Sequence, residues 1–444
     1  MGRRIRDLPI TLDQLLSVSP PAATPALRGR QASPFLSRAP GFRPAPDRSI
    51  AGCDRARGAD RPGGPGPSRR SSTIFHLIFA APSLLVVVRW LWPLSLPLWI
   101  TVAVALLLLV ASQYHFWSRL SSGSVFAPEF PFAVVVLFNW AFGAIVLLAG
   151  LQILLDLGAM AARLAGRGGG VPDALRYAAA GAAALLAAVG VANALRVPPV
   201  KDLDVAIRGL PPAFEGYRLL HLTDLHISRL FPAPWVRAVV DRANASGVDL
   251  VVVTGDFIDG SVAMRRADVE PLRGLRAPDG VFAIPGNHEY FFDYRAWMRH
   301  LAGLGISLLE NAHAVLARGG ARIVLAGVTD LSAPAHGQAG PDLAAALAGA
   351  PDHAPVILLD HQPRGARRAA AHGVALQLSG HTHGGMILGL DRLVANGNDG
   401  FVSGLYAVEG MTLYVSNGTA LWPGFALRLG RPSALTRITL RGLR

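Results

Sequence analysis

The sequence predicts an α/β domain that follows an all-α membrane region, and three observations lead to this fold class. Short apolar runs rich in β-branched residues recur through the second half of the chain, which is typical of buried strands. Helical patterns lie between these runs, and that alternation favours a layered α/β domain. Ahead of the runs are four apolar stretches near the length of about 20 residues that crosses a bilayer.

Residues 1–73 form a basic segment without periodicity, rich in Pro, Gly, Arg and Ser, and we expect this segment to be disordered. It holds 13 Arg against 5 Asp, so it carries +8 of the chain's net charge of +13. One interpretation is an arm that binds anionic lipid headgroups. We favour a solvated tail, or a translation start placed too far upstream. Nucleic acid binding is not expected, because the arginines are not interleaved with aromatic residues.

The four apolar stretches predict an all-α transmembrane domain over residues 74–196, with helices at residues 74–92, 94–111, 132–155 and 177–195. The third stretch is free of charge over its 24 residues and is the clearest of the four. The first contains Arg89 and the fourth is mostly alanine, so a buried or interfacial helix is the alternative for these two.

The predicted topology puts both ends of the chain on one side of a cell membrane that it crosses several times. With the amino terminus inside, five basic residues flank the spans on the cytoplasmic side and four lie outside. By the positive-inside rule this small excess favours a cytoplasmic catalytic domain. The single Cys53 permits no internal disulfide and does not decide the compartment. Residues 196–217 are interpreted as a short tether to the catalytic domain, which we assign to residues 197–444.

Five apolar runs in that domain predict strands, at residues 217–222, 250–253, 281–284, 356–359 and 374–378. Helical patterns cover about residues 232–245, 294–304 and 363–372. Glycines at positions 255, 286 and 380 follow three of the runs and allow sharp turns without a Cβ penalty. The carboxyl ends of strands in an open α/β sheet converge on one crevice, so we expect one site there.

Polar motifs follow all five runs. They are Asp224-Leu225-His226, Gly255-Asp256-Phe257-Ile258-Asp259, Gly286-Asn287-His288-Glu289, Asp360-His361 and Gly380-His381-Thr382-His383. Imidazole and carboxylate ligands suit zinc, iron or manganese better than magnesium or calcium. Two such cations about 3.5–4 Å apart can hold a hydroxide nucleophile and clamp a phosphoryl group. The motifs therefore predict a dinuclear metallohydrolase in which Asp256 bridges the ions.

These motifs resemble the pattern of the calcineurin-like metallophosphoesterase superfamily, D-x-H, G-D, G-N-H-[ED], H and G-H-x-H, over about residues 219–383. The resemblance implies a four-layer β-sandwich of two mixed sheets flanked by helices. It also implies one metal ion held by Asp224, His226, Asp256 and His383, and a second held by Asp256, Asn287, His361 and His381. His288 would be the catalytic acid, and Asp259 or Glu289 would orient it.

Within the superfamily, the chain is most similar to the membrane-anchored, multi-pass branch. Residues 413–419 and 427–430 carry that likeness, as does the context S-G-H-T-H-G-G. Met386 departs from it, since Gln is expected after the double glycine, and this bears on substrate rather than on metal binding. Gly260-Ser261 replaces the Arg-Gly of Ser/Thr protein phosphatases, which argues against a phosphoprotein substrate.

Other sites are excluded or disfavoured. Lys201 is the only lysine and no P-loop surrounds it, no G-x-S-x-G elbow is present, and the catalytic domain has no cysteine nucleophile. His221 lies three residues before Asp224, yet a core or surface role is favoured for it. Asp330 ends another apolar run, and a plain strand-end turn is the favoured interpretation.

The sequence thus predicts a membrane-bound phosphoesterase that hydrolyses a phosphate ester or pyrophosphate bond. A site held near the bilayer favours a lipid-linked substrate, such as a phospholipid or a nucleotide-diacylglucosamine-type glycolipid precursor. One alternative is a broad phosphodiesterase acting on soluble or cell-wall esters. Another is a non-catalytic membrane sensor or scaffold, which the complete ligand set argues against. The expected partners are the lipid bilayer and the substrate, and we infer no nucleic acid or protein partner.

Overall fold

The structure, a computed structural model, describes residues 79–443. The predicted basic tail of residues 1–73 lies outside the described residues. So do residues 74–78, with which the first predicted span begins, and residue 444.

The membrane region contains five helices within the described residues. They are α1 (Phe79–Leu91), α2 (Leu98–Ser112), α3 (Tyr114–Ser122), α4 (Phe132–Leu164) and α5 (Asp173–Leu195). Of the helices described, α4 and α5 are each long and apolar enough to cross a membrane. The pair α2 and α3, bent by 52°, would add a third span if it forms one broken helix. The first predicted span corresponds to the shorter α1, so the count of four spans stays a prediction.

The predicted catalytic domain forms two six-stranded mixed sheets, and this confirms the predicted fold class. Its strands are β1 (Val200–Ile207), β2 (Arg218–Leu222), β3 (Leu250–Thr254), β4 (Val281–Ile284), β5 (Ser307–Leu308), β6 (Ala312–Arg318), β7 (Ala321–Gly327), β8 (Val356–Leu359), β9 (Leu376–Ser379), β10 (Gly404–Val408), β11 (Met411–Val415) and β12 (Leu435–Gly442). Seven helices accompany them: α6 (Ala233–Asn244), α7 (Val262–Val269), α8 (Asn287–Phe291), α9 (Tyr294–Gly303), α10 (Leu343–Leu347), α11 (Ala366–Ala371) and α12 (Asp391–Gly397).

The strand order explains where the functional residues meet. The first sheet runs β1-β12-β2-β3-β4-β5, and its strands β2 to β5 are parallel. The second sheet runs β10-β11-β9-β8-β7-β6, with β7, β8, β9 and β11 parallel. Parallel neighbours end on the same side of a sheet, so the segments that follow β2, β3 and β4 meet at one sheet and those that follow β8 and β9 meet at the other.

The central strands are buried on both faces. In β3, Leu250 and Val252 pack into the core between the two sheets, whereas Val251 and Val253 pack into the core under the helices. Successive side chains of a strand point to opposite faces, so a strand covered on both sides is apolar at every position. This pattern made the five predicted strands recognisable, and each observed strand lies within two residues of its prediction.

The interpretation of residues 196–217 as a tether is wrong. Only residues 196–199 separate α5 from β1, and β1 pairs with β12 over its whole length. The Trp235 indole donates a hydrogen bond to the Leu195 carbonyl (3.1 Å), and Arg242 donates to the carbonyls of Val197 and Pro198. The membrane helices are therefore docked onto the catalytic domain rather than connected to it by a flexible chain.

Candidate metal centre

The predicted metal ligands converge at the carboxyl ends of β2, β3, β4, β8 and β9. Six of the seven are buried and the seventh, His381, is partly exposed. Ligand atoms of Asp224, His226 and His383 all lie within 4.8 Å of one another, and the same holds for Asp224, Asp256 and His361. Asn287 joins the second group through its side-chain oxygen, which lies 3.0 Å from both His361 Nε2 and His381 Nδ1.

The first half of the site presents imidazole nitrogens that face each other. His226 donates through Nδ1 to Asp259 Oδ2 (3.1 Å), which leaves the Nε2 lone pair free to point inward. That Nε2 lies 3.3 Å from His383 Nε2 and 3.7 Å from Asp256 Oδ2. Converging lone pairs and carboxylate oxygens repel one another unless a positive charge lies between them, so this arrangement fits a bound cation.

The second half repeats the same arrangement. His361 donates through Nδ1 to the Thr254 carbonyl (2.6 Å), so its Nε2 faces the Asn287 side-chain oxygen and Asp256 Oδ2, the latter at 3.3 Å. The same Asp256 oxygen thus faces His226 on one side and His361 on the other. A carboxylate between two imidazole-lined positions is the arrangement that a bridging ligand requires.

The pKa values of Asp256 and His383 also favour metal binding. Burial by itself raises the pKa of Asp256, but the surrounding His361, His288 and His226 outweigh burial and hold this pKa well below its usual range. Burial, with His226 and Arg428 nearby, holds the pKa of His383 well below its usual value. A charged carboxylate and a neutral imidazole are the forms that bind divalent metal ions.

His288 lies beside the two ligand groups with Asp259 behind it. His288 Nδ1 donates to Asp259 Oδ1 (2.5 Å), and its Nε2 lies 3.9 Å from Asp256 Oδ2. Asp259 also forms a possible metal-binding group with His226 and His288 by proximity. Both of its oxygens already accept these histidines' Nδ1–H groups, so the geometry fits an orienting role.

Glu289 has a different contact from the predicted one. Its carboxylate accepts hydrogen bonds from the backbone N–H groups of Asp256, Phe257 and Gly286. Burial and the neighbouring Asp256 charge raise the pKa of Glu289 to about 7. Glu289 therefore fixes the backbone that carries Asp256, whereas Asp259 makes the contact to His288.

The backbone at this site is strained. Five of the predicted ligands have positive φ, at 54° for Asp224, 41° for His226, 54° for Asp256, 68° for His381 and 50° for His383. Such conformations cost a residue with a side chain about 1–3 kcal/mol and cluster at functional sites. The fold thus holds these ligands in place at the expense of stability.

The three predicted glycines act in two ways. Gly255 has φ of +85°, as a sharp turn requires. Gly286 and Gly380 lack a positive φ and allow close approach instead. A Cβ on Gly286 would lie 2.3 Å from Asp256 Oδ1, and one on Gly380 would lie 2.4 Å from Asp224 Oδ2.

The sequence did not predict the positions of two further residues beside the site. Arg428 is buried and donates to the carbonyls of His383 (2.7 Å), Asn417 (2.5 Å) and Ala420 (3.0 Å), so it supports the loop of a predicted ligand. Phe126 comes from the membrane region, and its ring centroid lies 5.1 Å from that of His288. Residues 427–430 carried only the likeness to the membrane-anchored branch, and Phe126 lies in no motif. Neither contact was predicted, because each residue reaches the site from a distant part of the chain.

Two further residues weighed in the sequence lie outside the groups of metal-binding residues that the structure describes. His221 Nε2 is hydrogen-bonded to Thr254 Oγ1 (2.8 Å) and is in none of the possible metal-binding groups among residues 79–443. Asp330 accepts from the Gln362 amide and from Ser332. Burial, with Asp330 nearby, raises the pKa of Asp360 to about 7.

Known proteins resemble the catalytic half of this chain. The profile of the family described as calcineurin-like phosphoesterase matches residues 217–385, a segment that includes every predicted ligand. A Danio rerio protein named "transmembrane protein with metallophosphoesterase domain" is 35% identical over 58% of this chain and 61% of its own length. YkuE, an uncharacterized metallophosphoesterase of Bacillus subtilis, is 31% identical over 47% of this chain and 73% of its own length.

An uncharacterized metallophosphoesterase of Helicobacter pylori strain J99 is 33% identical over 56% of this chain and 66% of its own length. The chain therefore spans less than two thirds of the Danio rerio and Helicobacter pylori proteins. The similarity covers the site and the fold around it.

Proposed function

This chain belongs to the calcineurin-like phosphoesterase family, and from that premise we propose that it is a membrane-bound enzyme that hydrolyses a phosphate ester or pyrophosphate bond. The observation that carries the proposal is the position of Asp256 Oδ2, 3.7 Å from His226 Nε2 and 3.3 Å from His361 Nε2. One carboxylate oxygen between two sets of inward-facing ligand atoms favours two cations that share it.

The residues would divide between two divalent transition-metal ions, zinc, iron or manganese. Asp224, His226, Asp256 and His383 would hold one ion, and Asp256, Asn287, His361 and His381 the other. When bound, such a pair supplies a water-derived nucleophile at neutral pH and positive charge for the phosphoryl oxygens. The imidazole-rich ligand set disfavours magnesium and calcium.

The chain's own residues then act on the leaving group. As a new P–O bond forms to the attacking oxygen, the P–O bond to the leaving group breaks and that oxygen gains negative charge. His288 would donate a proton to this oxygen through Nε2, while Asp259 holds Nδ1 and stabilises the imidazolium form that donates.

A lipid-linked substrate is favoured for this site. The docking of the membrane helices onto the catalytic domain, with Phe126 beside His288, supports it, because substrate would reach the site close to the bilayer. We propose a multi-pass protein whose catalytic domain is cytoplasmic, on the excess of basic residues at that end of the spans.

Turnover by the full-length protein in nanodiscs tests the proposal. The protein would be loaded in turn with zinc, iron or manganese and offered phospholipids, a nucleotide-linked glycolipid and soluble phosphodiesters. We expect hydrolysis with at least one metal and preference for a lipid-borne ester. Turnover of soluble esters alone would favour the broad phosphodiesterase. Absence of turnover with bound metal would favour a sensor or scaffold.

A further inference from the structure

The loop of residues 123–131, between α3 and α4, lies against the candidate metal centre. Phe126 on this loop packs with its ring centroid 5.1 Å from His288, 5.1 Å from Phe291 and 5.7 Å from Trp422. Phe291 itself lies 5.1 Å from His288. These three aromatic residues, Phe126, Phe291 and Trp422, form one wall beside the proposed acid, and we refer to them as the aromatic wall.

Charged contacts fix the loop in this position. Glu129 accepts a hydrogen bond from Arg229 Nε (2.7 Å) and pairs with Arg265, whose side chain is fully buried. Arg265 also donates through Nε to the Asp259 carbonyl (3.0 Å). Asp259 in turn holds His288, so the loop of the membrane region is anchored to the same residue that orients the proposed acid.

Each helix next to this loop has a large apolar side chain exposed near the loop. Leu120, near the end of α3, is 65% exposed, and Phe132, the first residue of α4, is 48% exposed. Exposed apolar side chains of this kind on a membrane-region helix are expected to face lipid. The loop therefore leads from exposed apolar side chains on the flanking helices to the metal centre.

We propose that the aromatic wall is a subsite for the apolar chain of a lipid-linked phosphoester, and this inference rests on the proposed phosphoesterase function. The three members are uncharged, and Phe126 and Phe291 are half-buried, so each leaves ring surface that an acyl or isoprenyl chain can cover. Covering apolar surface drives such binding, whereas a small polar alcohol gains nothing from it.

The test compares two substrates that differ only in chain length, methyl and decyl 4-nitrophenyl phosphate, with metal-loaded full-length protein in nanodiscs. The alkyl chain can cover only the exposed part of the Phe126 ring, which gives part of the free energy of burying a full Phe side chain. Phe126→Ala should therefore lower kcat/KM for the decyl ester about tenfold. Its kcat/KM for the methyl ester should change less than about twofold, because the metal ligands and His288 are untouched. Phe130→Ala is the matched control, since Phe130 is on the same loop but packs on Phe138.

Binding measured by calorimetry separates this inference from the proposed function. Decyl phosphonate should bind wild type about tenfold more tightly than it binds Phe126→Ala, and methyl phosphonate should not distinguish the two. Equal losses on both chain lengths, or the same loss in Phe130→Ala, would overturn the subsite. If wild type cleaves neither ester yet the calorimetric difference is present, the subsite stands and the phosphoesterase proposal fails.

Discussion

Asp256 is the residue on which both halves of the candidate metal centre depend. Its Oδ2 faces His226 and His361, while its Oδ1 accepts the backbone N–H of His288 (2.9 Å). Asp256→Asn keeps the shape and removes the charge shared by the two ions. We expect elemental analysis to find two transition-metal ions per chain in wild type and fewer than one in this variant.

The control for this prediction is Asp330→Asn. Asp330 is also a buried carboxylate, but it is bonded to Gln362 and Ser332 and lies in none of the described metal-binding groups, so its loss should leave the metal content unchanged. One ion or none in transition-metal-loaded wild type would contradict the dinuclear assignment.

Substitution of His288 tests the proposed proton donation separately from metal binding. Because it is proposed to be an acid and not a ligand, His288→Ala should keep both ions and lose about 10²–10⁴-fold in kcat. The loss should be smaller with a nitrophenolate leaving group, which needs little protonation. His300→Ala, a histidine on α9 outside the site, should behave as wild type. Loss of metal in His288→Ala, or equal losses for all leaving groups, would reject the role.

Gly380 shows how tightly the ligands are packed. A Cβ there would lie 2.1 Å from Thr223 Oγ1 and 2.4 Å from Asp224 Oδ2, so Gly380→Ala must displace the Asp224 carboxylate. We expect metal affinity, measured by titration against a chelator, to fall about 10- to 100-fold. Gly303→Ala is the control, since nothing lies within 4 Å of its Cβ position. Unchanged affinity in Gly380→Ala would show that the backbone moves instead.

The metal ligands could be predicted from the sequence, but their backbone conformation and the contacts that support them could not. The motifs identify ligand types such as Asp224 and His383 because metal chemistry restricts the choice of side chain. Their positive φ values were not predictable, because strain at those positions is imposed by the surrounding fold. Residues 427–430 were noted only as a likeness to the membrane-anchored branch. The contact of Arg428 with the His383 carbonyl was not predictable, because a side chain that binds backbone places no restriction on the residue type of its partner.

At the scale of elements, β3 was predicted from the sequence and β1 was missed. The two strands differ in their burial. β3 is buried at all five positions, and its first four residues form a continuous apolar run. β1 lies at a sheet edge, buries only two of its eight positions and carries Lys201 and Asp202 on the exposed part, so it resembled a polar linker. Its place in the sheet depends on pairing with β12, which comes more than 200 residues later. Periodicity within a short window does not contain that information.

The docking of α4 on the catalytic domain depends on a glycine. A Cβ on Gly143 would lie 2.6 Å from Leu427 Cδ1, whereas nothing lies within 4 Å of the Cβ position of Gly150, two turns further along α4. Gly143→Ile should therefore destabilise the full-length protein by about 1–3 kcal/mol, the usual cost of overpacking, and Gly150→Ile should not.

Thermal unfolding in nanodiscs and limited proteolysis of residues 196–199 measure this effect. Lower Tm with faster cleavage in Gly143→Ile is expected, because undocked helices expose the short connection to β1. Equal Tm and cleavage in the two variants would mean that the contact with Leu427 does not hold the two parts together.

Within residues 79–443, buried contacts join the membrane helices to the catalytic domain. The Asn139 amide on α4 donates to the Pro423 carbonyl (2.9 Å) and its oxygen accepts the Ala426 N–H (2.7 Å). The Arg428 backbone N–H donates to the Gly190 carbonyl of α5 (3.0 Å). The catalytic domain therefore lies at the end of the helix pair where α4 begins and α5 ends.

This arrangement makes membrane sidedness testable with three reporter cysteines. The loop of residues 165–172 lies at the far end of α4 and α5, whereas Ser124 and Asp352 lie on the side of the catalytic domain. In a Cys53→Ser background, we expect an impermeant maleimide to label Gly170→Cys in intact cells. Ser124→Cys and Asp352→Cys should be labelled only after permeabilisation, because the small excess of basic residues favours a cytoplasmic domain. The reverse pattern would place the catalytic domain outside, and labelling of Ser124→Cys and Asp352→Cys from opposite sides would contradict the docked arrangement itself.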